Sequence, residues 1–145
     1  MSFLTKRDYR LLAGIHPVLS ATVQLAAGMS EEKGLFVFRV TEGLRTYQYQ
    51  KYLVKEGASQ TLNSEHLLGK AVDLAILSPG RKQYIQDRRY YEILNRYMFD
   101  VAASLGFHLL WGGSWTTIVD LGHWQIEADW DQDLPLLNGG HSRFS

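Results

Sequence analysis

The chain of 145 residues contains no cysteine, only three prolines and no excess of either charge. Without cysteine it can form no disulfide, no thiolate metal site and no cysteine nucleophile. Lys plus Arg and Asp plus Glu number 15 each. The chain therefore lacks the positive excess with which nucleic-acid-binding proteins neutralise phosphates, and we expect no nucleic-acid partner.

Long apolar runs are also missing. No run approaches the roughly 18–20 apolar residues that cross a bilayer, so we expect no membrane insertion. The segment from Met1 to Gly14 mixes charged and apolar side chains and has no signal-peptide core. These features predict synthesis in the cytoplasm without a signal peptide.

The composition is that of a folded globular protein. Hydrophobic residues make up 46% and charged residues 21% of the chain, both ordinary values. The length suits one domain, so we predict a single domain over residues 1–145 and a monomer. A proline, an asparagine and paired glycines predict that residues 133–145 are a loosely ordered tail.

Apolar spacing and turn residues predict a mixture of helices and strands. Predicted helices cover 4–29 (broken at His16-Pro17), 46–57 and 87–105, and predicted strands cover 36–40, 71–76, 107–111 and 123–127. In the last helix the predicted apolar stripe is Tyr90, Leu94, Tyr97, Val101 and Leu105. The order lacks a regular βαβ rhythm, which favours an α+β fold with a small antiparallel sheet and flanking helices.

Two of the predicted strands carry polar side chains on one face. Alternation in 71–76 places Asp73 opposite the apolar face, and alternation in 123–127 does the same for His123. If both strands pair with their apolar faces on a shared core, these two side chains lie in one cleft. His66 precedes the first strand by a short turn and can fold back toward Asp73.

Two imidazoles and one carboxylate form a ligand set suited to Zn²⁺, with the fourth position left for water. A hydrolytic zinc site also needs a proton acceptor. Asp120 is the nearest carboxylate before His123 in the sequence. Glu65 and Glu127 are alternative bases.

Three further residues have two interpretations each. Arg45 could bind a substrate carboxylate or a developing oxyanion, or it could merely pair with Glu42. Trp111 and Trp115 could be core residues or walls of the cleft.

The basic and aromatic segment 81–91 is more typical of a solvated helix face than of a nucleic-acid surface.

Four motifs together carry a resemblance to a known family. In chain order they are Gly43-Leu44-Arg45-Thr46 with Gln50 and Leu53, Ser64-Glu65-His66-Leu67-Leu68-Gly69-Lys70-Ala71-Val72-Asp73, Trp111-Gly112-Gly113-Ser114-Trp115, and Asp120-Leu121-Gly122-His123. They resemble the zinc D,D- and L,D-peptidases of the peptidase M15 (VanY/VanX-like) family. Within it, the chain looks most like the bacteriophage L-alanyl-D-glutamate endopeptidases, which are endolysins.

The resemblance implies roles for residues in three of these four motifs. The implied zinc ligands are His66, Asp73 and His123. Asp120 is the implied catalytic base. Arg45 is implied in substrate or transition-state binding, and Ser64 beside the substrate.

The resemblance also implies a Hedgehog/DD-peptidase-like fold and a function. The expected activity is zinc-dependent hydrolysis of the L-Ala–D-Glu bond in the peptide stem of peptidoglycan. The enzyme would be made in the host cytoplasm and reach the wall in the periplasm through a separate pore protein. A D-alanyl-D-alanine carboxypeptidase with the same site and a non-catalytic wall-binding module are the alternatives.

Overall fold

The computed structural model describes residues 3–78, 80 and 83–127, so the predicted tail at 133–145 lies outside the described residues. The helices are α1 (Lys6–Leu12), α2 (Pro17–Lys33), α3 (Tyr47–Lys55) and α4 (Arg88–Leu105). The strands are β1 (Val37–Glu42), β2 (Ala71–Leu77), β3 (Tyr84–Ile85), β4 (Leu109–Trp111) and β5 (His123–Ile126), and 3₁₀ turns cover Glu65–Leu68 and Gly112–Ser114. In these ranges no helix is both long enough and apolar enough to cross a membrane.

The strands form one antiparallel sheet in the order β1-β2-β5-β4, with the short β3 added beside β2. This arrangement confirms the predicted α+β class. The register places His123 directly across from Asp73 on the neighbouring strand. Glu42 is the partner of Asp73 on the other side, after a bulge in β1. Three polar residues therefore lie side by side across the middle of the sheet.

The predicted break at His16-Pro17 is present and has a local cause. Pro17 is the first residue of α2, where its missing N–H costs nothing. The ring of His16 accepts a hydrogen bond from the backbone N–H of Val18 at Nδ1, 3.1 Å away, and so caps the helix. α2 and α4 both end at a glycine with positive φ, Gly34 (67°) and Gly106 (84°).

The apolar face of the sheet packs against α2 and α4. The buried residues of α4 are Tyr91, Leu94, Met98, Val101 and Ala102. The predicted stripe was therefore wrong at Leu105, which is 43% exposed. Two hydrogen bonds of Tyr91 to the sheet set the rotation of α4 about its axis. The Tyr91 hydroxyl accepts from the Ile76 N–H (3.1 Å) and donates to the Ile85 carbonyl (2.9 Å).

Candidate metal centre

Three side chains that can ligate a metal ion meet on the polar face of the sheet. Oδ1 of Asp73 lies 2.9 Å from Nδ1 of His123 and 3.3 Å from Nε2 of His66. The ligand atoms of all three residues lie within 4.8 Å of one another. The structure thus brings together the ligand set predicted from the sequence.

His66 is oriented by its turn and by a backbone carbonyl. Its 3₁₀ turn begins at Ser64, whose Oγ accepts from the His66 N–H, and ends at Gly69 with φ 68°. Nδ1 of His66 donates to the carbonyl of Gly43 over 2.8 Å. Since a carbonyl only accepts, the proton lies on Nδ1, and Nε2 presents its lone pair toward Asp73.

The arrangement fits a zinc ion. Nε2 of His66 is buried and makes no hydrogen bond, so its lone pair is left for another partner. Ligand atoms about 2.0–2.2 Å from a tetrahedral Zn²⁺ lie roughly 3.3–3.6 Å apart, close to the 2.9 and 3.3 Å between Oδ1 of Asp73 and the nitrogens of His123 and His66. Burial opposes ionisation of Asp73, but the two neighbouring imidazoles, above all the hydrogen-bonded ring of His123, outweigh it and hold the pKa of Asp73 well below the usual range. The carboxylate is therefore ionised, as a metal ligand must be.

Two glycines hold the segment that carries Asp120 and His123 against the sheet. The Leu74 N–H donates to the carbonyl of Gly122 over 2.7 Å, and the Asp120 N–H donates to the carbonyl of Gly112 over 3.0 Å. A Cβ at Gly122 would lie 2.4 Å from the Leu74 oxygen, and one at Gly112 would lie 2.3 Å from the Asp120 oxygen. Only glycine permits these approaches without a backbone shift.

We expect Gly122→Ala to lower the free energy of unfolding by about 1–3 kcal/mol, because the new methyl group overlaps a backbone oxygen. The same shift displaces His123, so zinc affinity falls as well. Thermal unfolding and zinc titration measure the two effects. Gly28→Ala is the matched control, since that glycine lies exposed within α2 with nothing within 4 Å of its added Cβ. The control gains about 0.5–1 kcal/mol.

A cleft of about 870 Å³ opens above the three ligands. Two of the candidate bases, Asp120 and Glu65, line it. The third does not, because the Glu127 carboxylate lies outside the cleft, 3.6 Å from Nδ1 of His108. Partial desolvation in the cleft and the negative charge of Asp73 raise the pKa of Asp120 above its usual range. Asp120 is thus the more basic of the carboxylates whose shift is resolved at the site.

Arg45 pairs with Glu42, as one of its two sequence interpretations predicts, and it also lines the cleft. Its Nε donates to Glu42, and one Nη donates to Oε1 of Gln50 over 2.6 Å. The same nitrogen lies 3.4 Å from Oγ of Ser64, and the guanidinium faces the ring of Tyr49 within the cleft. Burial opposes its charge, but Glu42 outweighs burial and raises the pKa of Arg45 further. Arg45 is a permanent cation held in a fixed position beside the metal centre.

Comparison with known proteins decides the family. Residues 1–140 match the family model described as phage L-alanyl-D-glutamate peptidase. The chain belongs to this family. It is 34% identical over 120 residues to the L-alanyl-D-glutamate peptidase of Listeria phage A118, covering 81% of this chain and 41% of that relative. The chain thus spans less than half the length of this relative.

Two solved structures show the same fold. The L-Ala D-Glu endopeptidase ChiX of Serratia marcescens superposes with a TM-score of 0.75 at 33% identity, covering 86% of this chain and 90% of that one. The vancomycin resistance D,D-pentapeptidase VanY, solved in complex with Zn(II), superposes with a TM-score of 0.54 at 18% identity, covering 77% and 72%. The family resemblance and the fold predicted from the sequence are both confirmed.

Trp111 and Trp115, which had two interpretations in the sequence, take different places in this peptidase-family chain. Trp111 is buried, stacks on Trp124 and donates from Nε1 to the Leu121 carbonyl over 2.7 Å. It is therefore a core residue. Trp115 lies against His123, with 5.2 Å between ring centroids, and lines the cleft. It is a cleft wall.

Three groups around the site were assigned no role from the sequence. Gln125 accepts at Oε1 from Nε2 of His123 over 2.7 Å, a contact that the strand alternation places within reach. Buried Gln50 donates to the Thr61 carbonyl and joins α3 to the loop before His66. The carbonyl of Gly43 had no sequence signal, because every residue carries one and only its direction matters.

Proposed function

We propose that this chain is a zinc-dependent peptidase that hydrolyses the L-Ala–D-Glu bond in the peptide stem of peptidoglycan. The observation that carries this proposal is the cluster of His66, Asp73 and His123, with ligand atoms within 4.8 Å, at the base of a cleft. Membership of the phage L-alanyl-D-glutamate peptidase family and the likeness to ChiX support the choice of bond.

His66, Asp73 and His123 would hold the zinc ion. When bound, zinc acts as a Lewis acid that polarises a carbonyl and makes water more acidic. The carbonyl of Gly43 accepts from Nδ1 of His66, which leaves the lone pair of Nε2 facing Asp73, where it would bind the ion. Gln125 fixes the ring of His123 from the other side.

Asp120 serves as the general base. Its raised pKa makes its carboxylate a better proton acceptor than an exposed aspartate. Asp120 takes the proton from the attacking water as the new carbon–oxygen bond forms. It then gives that proton to the nitrogen of the leaving amine as the carbon–nitrogen bond breaks. Asp120 ends the cycle ionised, as it began.

Arg45 and Ser64 bind the substrate. Glu42 and Gln50 hold the guanidinium in place, so little side-chain entropy is lost when it binds a carboxylate or a developing oxyanion. Ser64 adds a hydroxyl at the same wall of the cleft while its Oγ caps the turn of His66. One side chain thus connects substrate binding to ligand orientation.

We expect Arg45→Lys to lower kcat/KM on stem peptide by about 10- to 100-fold, because hydrogen bonds from a charged group contribute about 1.5–3 kcal/mol. Lysine keeps the charge but loses the fork of donors that reaches Glu42 and Gln50 together. Zinc content stays unchanged. Steady-state kinetics with metal analysis of both proteins checks this, and an unchanged kcat/KM would remove Arg45 from substrate binding.

The remaining expectations belong to the same proposal. The chain acts as one zinc peptidase domain over residues 1–145 and as a monomer. It is made in the host cytoplasm and acts on the cell wall in the periplasm. A separate membrane-pore protein gives it access to peptidoglycan.

The likeness of fold to VanY keeps a D-alanyl-D-alanine carboxypeptidase as the second candidate. The test is incubation with a defined stem peptide, with and without a zinc chelator, followed by mass spectrometry of the fragments. A chelator-sensitive fragment beginning at D-Glu supports the endopeptidase. Free D-alanine alone would assign the carboxypeptidase. Stoichiometric zinc without any cleavage would leave a wall-binding module.

A further inference from the structure

Ile118 has a backbone conformation that its residue type disfavours. Its φ is 53°, and it is the only non-glycine residue with positive φ in the described part of the chain. A β-branched side chain in this left-handed region crowds its own backbone, so the conformation is strained. Ile118 is also 57% exposed, so burial of the side chain does not compensate for the strain. Backbone strain of this kind is concentrated at functional sites.

The position of Ile118 connects the strain to the candidate active site. Its side chain lines the same cleft as Asp120 and His123, and Trp115 stands three residues earlier on the same wall. The next residue, Val119, is similar in type and exposure (52%) but does not line the cleft. The segment therefore directs one of two adjacent apolar side chains into the cleft.

Apolar and cationic groups both line the cleft. Trp115 and Ile118 supply apolar side chains close together in the sequence. Arg45, from the segment after β1, supplies a guanidinium 3.4 Å from the hydroxyl of Ser64. The L-Ala–D-Glu bond joins a residue with a small apolar side chain to an acidic one. The side chains of Trp115 and Ile118 match the alanine, and the guanidinium of Arg45 matches the glutamate carboxylate.

We propose that Ile118 is a specificity-determining residue that contacts the methyl group of the L-alanine on the amino side of the bond cut. This inference rests on the proposed function and adds the direction in which the peptide lies. L-alanine faces Ile118 and Trp115, and the D-glutamate carboxylate faces Arg45. The strained backbone at Ile118 is retained because it directs the side chain at the substrate.

The test compares two peptides and two variants. One peptide is a stem peptide with L-Ala before D-Glu, and the other has glycine in place of that alanine. Ile118→Asn is the test variant, because asparagine tolerates positive φ but lacks the apolar contact. Val119→Asn is the matched control, since it makes the same change on the neighbouring exposed residue outside the cleft.

We expect the wild type to favour the alanine peptide by about tenfold in kcat/KM, the size of effect that one methyl group has in a pocket. Ile118→Asn reduces this preference to about twofold. Because its backbone strain is relieved, the same variant melts about 2–4 °C higher. Val119→Asn keeps the tenfold preference.

The kinetic results separate a failure of the proposed function from a failure of the specificity role of Ile118. Cleavage of the alanine peptide by the wild type tests the proposed function, and its failure would overturn both proposals. Cleavage with the same preference in wild type and Ile118→Asn overturns the specificity role alone. An equal loss of preference in Val119→Asn also overturns it, because the effect would then belong to the segment rather than to Ile118.

Discussion

We expect the replacement of His66 with alanine to remove zinc binding and peptide cleavage together. His66 supplies the buried Nε2 that makes no hydrogen bond and lies 3.3 Å from the Asp73 carboxylate. Loss of this nitrogen leaves two ligands, too few for a zinc site with an open position. Changes to the partners of metal ligands already lower metal affinity by about 10–100-fold, so loss of a ligand lowers it further. Activity falls to that of the chelated wild type.

Metal analysis and the fragment assay measure the two losses in parallel. His108→Ala is the control, because this histidine is exposed, pairs only loosely with Glu127 and lies outside the cleft. It keeps zinc and activity. If His66→Ala retained one equivalent of tightly bound zinc, the assignment of this residue as a ligand would be wrong.

We expect Asp120→Asn to keep zinc but to lower kcat by about 10²–10⁴-fold, the contribution of a positioned general base. Asparagine preserves the shape of the side chain and the backbone bond to Gly112, but it cannot accept the proton of water. The variant therefore separates proton transfer from metal binding, which His66→Ala cannot do. Single-turnover kinetics with metal analysis gives both values.

Glu65→Gln is the companion to this experiment, because Glu65 is the other uncommitted carboxylate that lines the cleft. We expect Glu65→Gln to keep most of its activity. A loss in Glu65→Gln as large as in Asp120→Asn would mean that both carboxylates act in proton transfer. Full activity in Asp120→Asn would mean that Asp120 is not the general base.

Short-range patterns in the sequence predicted much of the fold. Side chains in a strand alternate between the two faces, so the pattern in 71–76 was enough to place Asp73 opposite the apolar core. The helix starts at Thr46 and Asp87 were equally readable, because each side chain accepts a hydrogen bond from the first turn that follows it. Such features depend only on neighbours in the chain.

Long-range contacts changed other parts of the prediction. The two-residue strand β3 (Tyr84–Ile85) is too short to show a pattern and exists because β2 offers it partners. The predicted apolar stripe of α4 wrongly included Leu105, because the hydrogen bonds of Tyr91 to the sheet decide the rotation of the helix. Neither partner of Tyr91 is visible in the periodicity of the helix.

The sequence by itself determined which residues belong to the candidate centre. The spacing from Ser64 to Asp73 and the segment from Asp120 to His123 predicted the ligands and the base and indicated the family. Only the tertiary structure decided how these residues meet. It places His123 across from Asp73, although they are 50 positions apart, and it directs the Gly43 carbonyl at His66. It also sets the positive φ of Ile118. The reason is physical: alternation and capping are local, whereas register, carbonyl direction and strain depend on segments that meet only in the folded chain.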